Sequence, residues 1–304
     1  MKVQFLGLIA NADSSILKLN LDHGFKIESL EENEGKSLIA SLEGVDIFEA
    51  TKKLYGDYSS LNTTEKKIFF VSNSFECDTE TKHQAASDFD NRLLNNYLLN
   101  TFRLIRLFKE GNVCIPYHYY FHQDQTPAKS FMHVGTILLV PREPFSLKDS
   151  EISYLQDFLK NSKLPFKEPY LQLAFENFEL SYQILHPNLS FLALMISLEV
   201  MFNPSDIEIR NRIARNAAVL LGKDVNESES IFAEIKKLYD KRSVLVHTGK
   251  LDITQNDVSA LRRYIRESIK QINGLGKDKN SLLKTLNTLG FGQRSSLEQS
   301  SPST

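Results

Sequence analysis

The feature that most constrains the fold is a long helical run between about residues 165 and 275. Apolar residues recur at helical spacing through this run, and breaks fall at Pro187, Gly222 and Gly249. Proline and glycine favour the ends of helices over their interiors. One segment, LSFLALMISLEVMF (189–202), is apolar almost all round, which indicates a helix buried in a core. The pattern predicts an all-α bundle of four to five helices joined by short loops.

The first 145 residues instead mix strand and helix patterns. Short β-type runs bounded by polar or glycine residues occur at residues 1–10, 15–22, 24–30, 66–72, 113–122 and 131–141. A helical pattern over residues 88–110 stops at Gly111, where a C-cap glycine is expected. We therefore predict an α+β domain over residues 1–145, followed by an all-α bundle of four to five helices.

The domain boundaries follow from these patterns. A connecting helix is predicted over residues 146–164 and the helical bundle over residues 165–275. The C-terminal extension covers residues 276–304. Its end, QRSSLEQSSPST, is serine-rich without periodicity, so we expect disorder from about residue 292.

Composition excludes several classes of protein. With 304 residues, 41% of them hydrophobic and 24% charged, the chain is long enough for two domains with real cores. No apolar run approaches the roughly 18 residues of a membrane span, and two cysteines cannot form a disulfide framework. We expect a cytoplasmic protein without membrane contact. The alternative reading of MKVQFLGLIANA as a secretory leader competes with its reading as a first strand.

Charge is unevenly distributed along the chain. Residues 1–204 hold 19 Lys and Arg against 26 Asp and Glu, whereas residues 205–290 hold 16 against 11. The positive excess of the second region is compatible with an anionic partner. It is equally compatible with chance clustering on solvated helix faces.

The segment LYDKRSVLVHTGK (238–250) ends the fourth helical segment and carries Arg242 and His247. Apolar residues precede Arg242 at steps of three and four, so the arginine occupies a core-facing position. A buried guanidinium needs an acidic or phosphate partner, a cleft or an interface. Five residues of regular helix turn through about 500°, which leaves the two side chains some 140° apart. They converge on one ligand only if the helix breaks or a second subunit brings its own copy.

Several separated elements match a known pattern in order. They are Leu198-Glu199 on an apolar helix, R-x-A…LLG from Arg215 to Gly222, and LY-x-x-RS-x-x-VH from Leu238 to His247. Through them the chain, over roughly residues 165–275, resembles the Apea-like branch of the HEPN family. In the most active-looking members of the family a larger polar residue commonly follows the arginine, whereas here it is Ser243. The family often has Gly directly after the histidine, whereas here Thr248 separates His247 from Gly249.

The resemblance implies a bundle that dimerises and places two R-x4-6-H motifs across a shared cleft. It further implies a metal-independent endoribonuclease of a prokaryotic defence or stress system, such as a toxin. His247 would be the general acid or base for attack of the ribose 2′-OH, and Arg242 would hold the phosphate. The chemistry is reasonable because imidazole titrates near neutral pH and a guanidinium fork fits phosphate oxygens. No metal or cofactor is expected, and the partners would be RNA and a second copy, with any regulatory partner unknown.

Glu199 is the one carboxylate in its apolar helix and therefore needs a cationic partner. Arg242 and Arg215 are the candidates. The pair would either fix the bundle as a salt bridge or orient Arg242 for function, and these two roles are compatible.

Other residues are expected in supporting roles. Tyr239, Ser243 and His247 are spaced four apart and share one helix face. Arg210 and Arg215 are candidate RNA contacts, although a solvated helix face explains such arginines as well.

Alternatives remain, and one of them is a ligand sensor that would need a pocket in the N-terminal domain. A non-catalytic HEPN module would serve as an RNA-binding or dimerisation scaffold, and burial of Arg242 against Glu199 would favour it. In the N-terminal domain His118, His122 and His133 lie on neighbouring predicted strands and could hold zinc, but no Cys or acidic ligand pattern accompanies them. A polar strand face is the preferred interpretation there, so no metal site is expected.

Overall fold

The structure is a computed structural model that describes residues 2–43, 66–76, 89–122, 131–134, 144–203, 208–249 and 252–299. The chain divides into two compact units, residues 1–162 and 163–304. Among the described residues the first unit is α+β and the second is helical. The predicted order of an α+β part followed by a helical part is therefore confirmed. Within those same ranges, no helix is both long enough and apolar enough to cross a bilayer.

The first unit is built on an antiparallel sheet. Its described elements are β1 (Lys2–Ala10), β2 (Lys26–Glu31), α1 (Glu32–Glu43), β3 (Lys67–Glu76), α2 (Leu99–Phe108) continuing a π-helical stretch (Asp90–Leu98), β4 (Cys114–His122), β5 (Phe131–Val134) and α3 (Asp149–Asn161). The sheet order is β2-β3-β1-β4-β5, and every neighbouring pair is antiparallel. The helix predicted over residues 146–164 is thus α3, which belongs to the first unit.

Both faces of this sheet are covered, which explains why β1 is apolar without alternation. One face packs Phe5 and Phe69 against Phe102 of α2 and Leu155 of α3. The other face packs residues such as Tyr117 and Tyr119 together with α1.

Two local predictions in this unit are wrong. Residues 15–22 were expected to form a strand, but Ser14–Lys18 is a 3₁₀ helix because the Asp13 side chain accepts the backbone N–H of Ser15 at 2.9 Å. Gly111 is not a helix C-cap, since α2 ends at Phe108 with Lys109 as its cap. The glycine has φ +148°, and a Cβ there would lie 2.9 Å from the Cα of Phe145. It is needed for this close approach.

The second unit consists of helices joined by short connections. They are α4 (Pro169–Gln183), α5 (Pro187–Phe202), α6 (Ile209–Leu221), α7 (Val225–Thr248), α8 (Gln255–Leu275), α9 (Lys279–Thr288) and α10 (Ser295–Gln299). Proline begins α4 and α5, where its missing N–H costs nothing. The antiparallel pairing of α4 with α5 is fixed by two buried bonds: Ser197 Oγ donates to the Ala174 carbonyl at 2.7 Å, and Ser190 Oγ donates to the Ser181 carbonyl at 2.8 Å.

Two further expectations are corrected here. The prediction of disorder from about residue 292 is wrong for residues 292–299, because α10 docks through Leu297, which is 2% exposed, and Arg294 donates to the Leu221 carbonyl at 3.3 Å. The apolar α5 is largely buried, as predicted, but Leu189 and Ile196 remain 56% and 48% exposed. One side of this core helix is therefore uncovered by the described residues.

Candidate functional site around the end of helix α7

Helix α7 runs without interruption through the R-x4-H segment. It begins where the Asp224 side chain accepts the backbone N–H of Glu227 at 2.8 Å. It ends at Gly249, whose φ of +68° and N–H bond to the Leu245 carbonyl make it the C-cap. The predicted stop at Gly249 is confirmed. Because the helix does not break between Arg242 and His247, their side chains diverge within one chain by some 140°.

Arg242 lies against helix α5. Its Nη2 is 3.5 Å from Glu199 Oε1, with the two side chains 29% and 24% exposed. Its guanidinium carbon is 5.7 Å from the centroid of the Tyr239 ring. Of the two arginines expected as partners for Glu199, the structure places Arg242 there. Arg242 is neither fully buried nor fully solvated, so it is held in place while part of its guanidinium stays accessible.

The Glu199 carboxylate sets the electrostatics of this cluster. Burial is the main factor that raises the pKa of Tyr239, and the negative charge of Glu199 raises it further, while Arg242 acts in the opposite direction. Glu199 Oε1 is buried, and no described group donates a hydrogen bond to it. The 3.5 Å ion pair with Arg242 lies outside hydrogen-bond geometry. Oε1 is thus unpaired among the described residues, although the Glu199 carboxylate also forms a side-chain hydrogen bond with Tyr239.

His247 occupies the last turn of α7 and is exposed, whereas Ser243 is half-buried. Among the described residues, none forms a hydrogen bond or ion pair with either side chain. Val244 and Val246 in the same turns are 38% and 49% exposed. This end of α7 thus presents an imidazole and two apolar side chains to the surroundings of the chain.

The two arginines predicted to contact RNA are both engaged. Arg210 Nη1 donates to Asp240 Oδ1 at 2.6 Å, in a pair that is about half exposed and hence contributes little to stability. Arg215 donates from Nη1 to the Leu286 carbonyl at 3.0 Å and from Nη2 to the Leu289 carbonyl at 2.6 Å. It thereby caps the C-terminal end of α9. Neither arginine joins the Arg242 cluster through these contacts.

An exposed apolar surface borders the cluster. We call it the α4–α5 face and define it by four side chains that are 42–56% exposed, namely Leu173, Leu180, Leu189 and Ile196. The two hydroxyl bonds that pair the helices place Leu173 level with Ile196 and Leu180 level with Leu189. Glu199 follows Ile196 by three residues and so continues the same side of α5. The face therefore reaches the Glu199–Arg242 pair.

Sequence reasoning missed a pocket of about 430 Å³ elsewhere in this unit. Its lining residues are Glu208, Asn211, Arg212, Arg215, Phe232, Gly290 and Phe291. The lining comes from α6, α7 and the turn after α9, segments up to some 80 positions apart, which no local pattern connects. The signal that could have pointed to it is Phe291 between two glycines in GFG (290–292), an apolar residue on a stretch with loop character.

The histidines of the first unit lie partly outside the described side chains. His118 is buried on β4 and stands opposite His133 in the β4–β5 register. Its ring packs against Phe5 and Tyr120, with centroids 5.8 and 5.7 Å away. The side chains of His122 and His133 are outside the described part, so the expectation of no metal site stays a prediction.

Comparison with known proteins adds no family to these observations. No family model, curated protein or solved structure matches the chain. The likeness to HEPN proteins therefore rests on the sequence elements quoted above, and the activity attached to that likeness is a proposal.

Proposed function

We propose that the chain is a metal-independent endoribonuclease of the HEPN type that acts as a homodimer. The observation that carries the proposal is the position of Arg242 and His247 at an accessible helix end beside the uncovered α4–α5 face. Exposed apolar surface of this kind marks interaction sites. A second copy seated by two-fold symmetry on this face would bring two helix ends towards each other. Arg242 of one chain would then meet His247 of the other.

The chemistry follows from such a composite site. One His247 accepts the proton of a ribose 2′-OH while that oxygen attacks the adjacent phosphorus. The P–O5′ bond breaks, the leaving 5′-oxygen takes a proton from water, and the protonated His247 then releases its proton to solvent. The products are a 2′,3′-cyclic phosphate and a 5′-hydroxyl. Arg242 binds the phosphate oxygens and stabilises the charge that develops on them.

Glu199 and Tyr239 hold Arg242 in this scheme. The ion pair at 3.5 Å and the ring at 5.7 Å restrict the guanidinium without using up its donors. Because donors of the guanidinium remain unused, Arg242 can bind a phosphate oxygen while it stays near Glu199. Ser243 lies one helical turn before His247, where its hydroxyl can contact the RNA strand.

A second candidate, a non-catalytic RNA-binding or dimerisation scaffold, is favoured by one observation. Arg242 is already paired with Glu199, and within one chain it points away from His247. A bundle held together by this pair and joined through the α4–α5 face would have the same local structure without cutting RNA.

Cleavage of an RNA panel in EDTA separates these two functions. The panel contains single-stranded and structured RNAs, and the proteins are wild type, His247→Ala and His186→Ala, purified identically. His186 is an exposed histidine of the same unit, distant in sequence from the motif, and serves as the matched control. The proposal predicts cleavage by wild type and by His186→Ala, with a loss of about 10²–10⁴-fold in His247→Ala.

The other outcomes decide against it. No cleavage by any of the three proteins, when wild type is a folded dimer, supports the scaffold. Equal cleavage by wild type and His247→Ala means that another site or a contaminating nuclease is responsible, and the mechanism is then wrong.

A further inference from the structure

We propose that the pocket between α6, α7 and the turn after α9 binds a nucleoside monophosphate unit. Its volume of about 430 Å³ lies within the roughly 300–1,000 Å³ range of small-molecule sites. Apolar and aromatic groups share the lining with arginines. This combination fits a ligand with a flat apolar part and an anionic part.

Two phenylalanines provide the flat apolar wall. The rings of Phe232 on α7 and Phe291 on the turn are 5.8 Å apart between centroids, at an interplanar angle of 54°. Both side chains are only half-buried, so part of each ring stays open to a ligand. Stacking on aromatic side chains is the general way in which proteins bind an unpaired base, because every base has a π-face.

The turn that carries Phe291 is held in a fixed shape. The N–H of Gly290 donates to Gln293 Oε1 at 2.8 Å, and the N–H of Gly292 donates to Ser228 Oγ at 3.2 Å. Gly292 has φ +77°, and a Cβ there would lie 2.9 Å from the Val225 backbone nitrogen. Only glycine fits this position. The half-exposed Phe291 is therefore presented by a built turn and not by a loose tail.

Basic side chains provide the part of the site that binds the phosphate. Arg215 is fixed by its two carbonyl bonds, which use two of its five N–H groups and leave others for a phosphate. Arg212 lies one helical turn earlier on the same face of α6. Lys236 Nζ is 5.0 Å from the Phe232 ring centroid, next to the aromatic wall.

Glu208 also lines the pocket and restricts how a ligand is oriented. Its carboxylate repels phosphate, and because Arg212 lies one helical turn from Glu208 and Arg215 lies two turns away, the phosphate lies towards Arg215 and the base towards Glu208. A carboxylate accepts hydrogen bonds from the exocyclic amino groups that adenine, cytosine and guanine carry and uracil lacks. Glu208 is also held in the left-handed region at φ +53°, a conformation that costs energy and tends to occur at functional sites. Uridine monophosphate should therefore bind more weakly than the other three.

The nucleotide can be a free molecule or one residue of an RNA strand. Phe232 and Arg242 are ten residues apart on the straight α7, or ~15 Å along its axis. A strand with one base in the pocket can thus reach the Arg242 cluster within a few nucleotides. The inference that the nucleotide is a residue of an RNA strand rests on the proposed ribonuclease function, whereas the inference that a free nucleotide binds does not.

The test measures binding of AMP to the full chain by calorimetry, with adenosine and ribose 5-phosphate as partial ligands. Phe291→Ala removes the stacking ring, and Gly292→Ala displaces the turn while keeping the ring. Tyr154→Ala, at an aromatic residue that is 69% exposed in the first unit, is the control. Circular dichroism verifies that each variant is folded. We expect wild type and Tyr154→Ala to bind AMP more tightly than either partial ligand, and Phe291→Ala to bind it roughly 5- to 150-fold more weakly.

A short 2′-O-methyl RNA, which cannot be cleaved through its 2′-oxygen, then identifies the source. If this RNA displaces AMP, and Phe291→Ala binds both AMP and the RNA more weakly than wild type, the pocket takes a residue of an RNA strand. Binding of AMP that depends on Phe291 but is not displaced supports a free nucleotide. Absence of AMP binding, or equal binding by wild type and Phe291→Ala, overturns the proposal. If AMP binding depends on Phe291 but the protein cuts no RNA, the nucleotide site is supported and the proposed ribonuclease function is refuted.

Discussion

The buried Arg262 makes the strongest stability prediction in the second unit. This residue on α8 is 0% exposed. Its Nε donates to Ser181 Oγ at 3.0 Å, and its Nη2 donates to the Ser181 carbonyl at 3.1 Å. Its guanidinium carbon lies 4.3 Å from the centroid of the Tyr182 ring. Arg262 thus links α8 to α4 through polar contacts in the interior of the unit.

Truncation to Ala should cost about 3–5 kcal/mol of the free energy of unfolding. Each hydrogen bond to a charged group contributes about 1.5–3 kcal/mol, and a desolvated cation–π contact about 2 kcal/mol. The cost of taking the guanidinium out of water opposes these gains, while the cavity left by truncation adds to the loss. Truncating a large buried side chain such as Phe to Ala costs about 3–5 kcal/mol in other proteins, which sets the expected range.

Arg263 provides a matched control one position along the same helix. Its side chain is 60% exposed and lies 3.8 Å from Glu234, so Arg263→Ala should cost less than about 1 kcal/mol. Urea unfolding of the full chain, followed by far-ultraviolet circular dichroism, measures both variants. Equal destabilisation by the two substitutions, or a loss below about 1 kcal/mol for Arg262→Ala, would refute the reasoning.

Three further predictions follow from the same structure. Glu199→Gln should lower the pKa of Tyr239, because it removes the negative charge that adds to the effect of burial; ¹³C-tyrosine NMR titration, assigned with Tyr239→Phe, measures this, and an unchanged pKa would contradict the placement of the pair. Burial and a hydrogen bond raise the pKa of Tyr264 from 10.0 to about 12. The neutral hydroxyl therefore contributes fully to the free energy of unfolding below pH 10, and this contribution is lost as the pH rises from 10 towards 12. Urea unfolding at a series of pH values should show that this free energy falls more steeply above pH 10 in wild type than in Tyr264→Phe. Ile196→Glu should convert the proposed dimer into monomers in light scattering, whereas Tyr154→Glu should not; a dimer that survives Ile196→Glu would remove the α4–α5 face from the interface.

The sequence predicted the parts of this fold that local chemistry determines. The end of α7 at Gly249 follows from a left-handed glycine after a periodic run, and the pairing of Glu199 with a cation follows from the cost of an isolated carboxylate on an apolar helix. The strand expected at residues 15–22 failed because one side chain, Asp13, outweighs a β-type pattern by capping a 3₁₀ turn.

Features that depend on distant residues could not be predicted from the sequence. The all-round apolar character of α5 indicates burial but does not reveal that Ile196 stays 48% exposed among the described residues. The pocket is assembled from three separate segments, one of which lies beside a stretch whose composition suggested disorder. Docking of Leu297 and the bond from Arg294 to α6 order that stretch, and both are tertiary contacts.

The central claim is that Arg242 of one chain works with His247 of another, and complementation tests it most directly. Arg242→Ala and His247→Ala are co-expressed with different tags, and each is also purified alone. In a mixed dimer one composite site loses both groups and the other keeps both. Since about half of the dimers are mixed and each of those has one intact site, the account predicts no cleavage by either variant alone and about a quarter of wild-type cleavage by the mixture. An inactive mixture that contains mixed dimers would contradict the account.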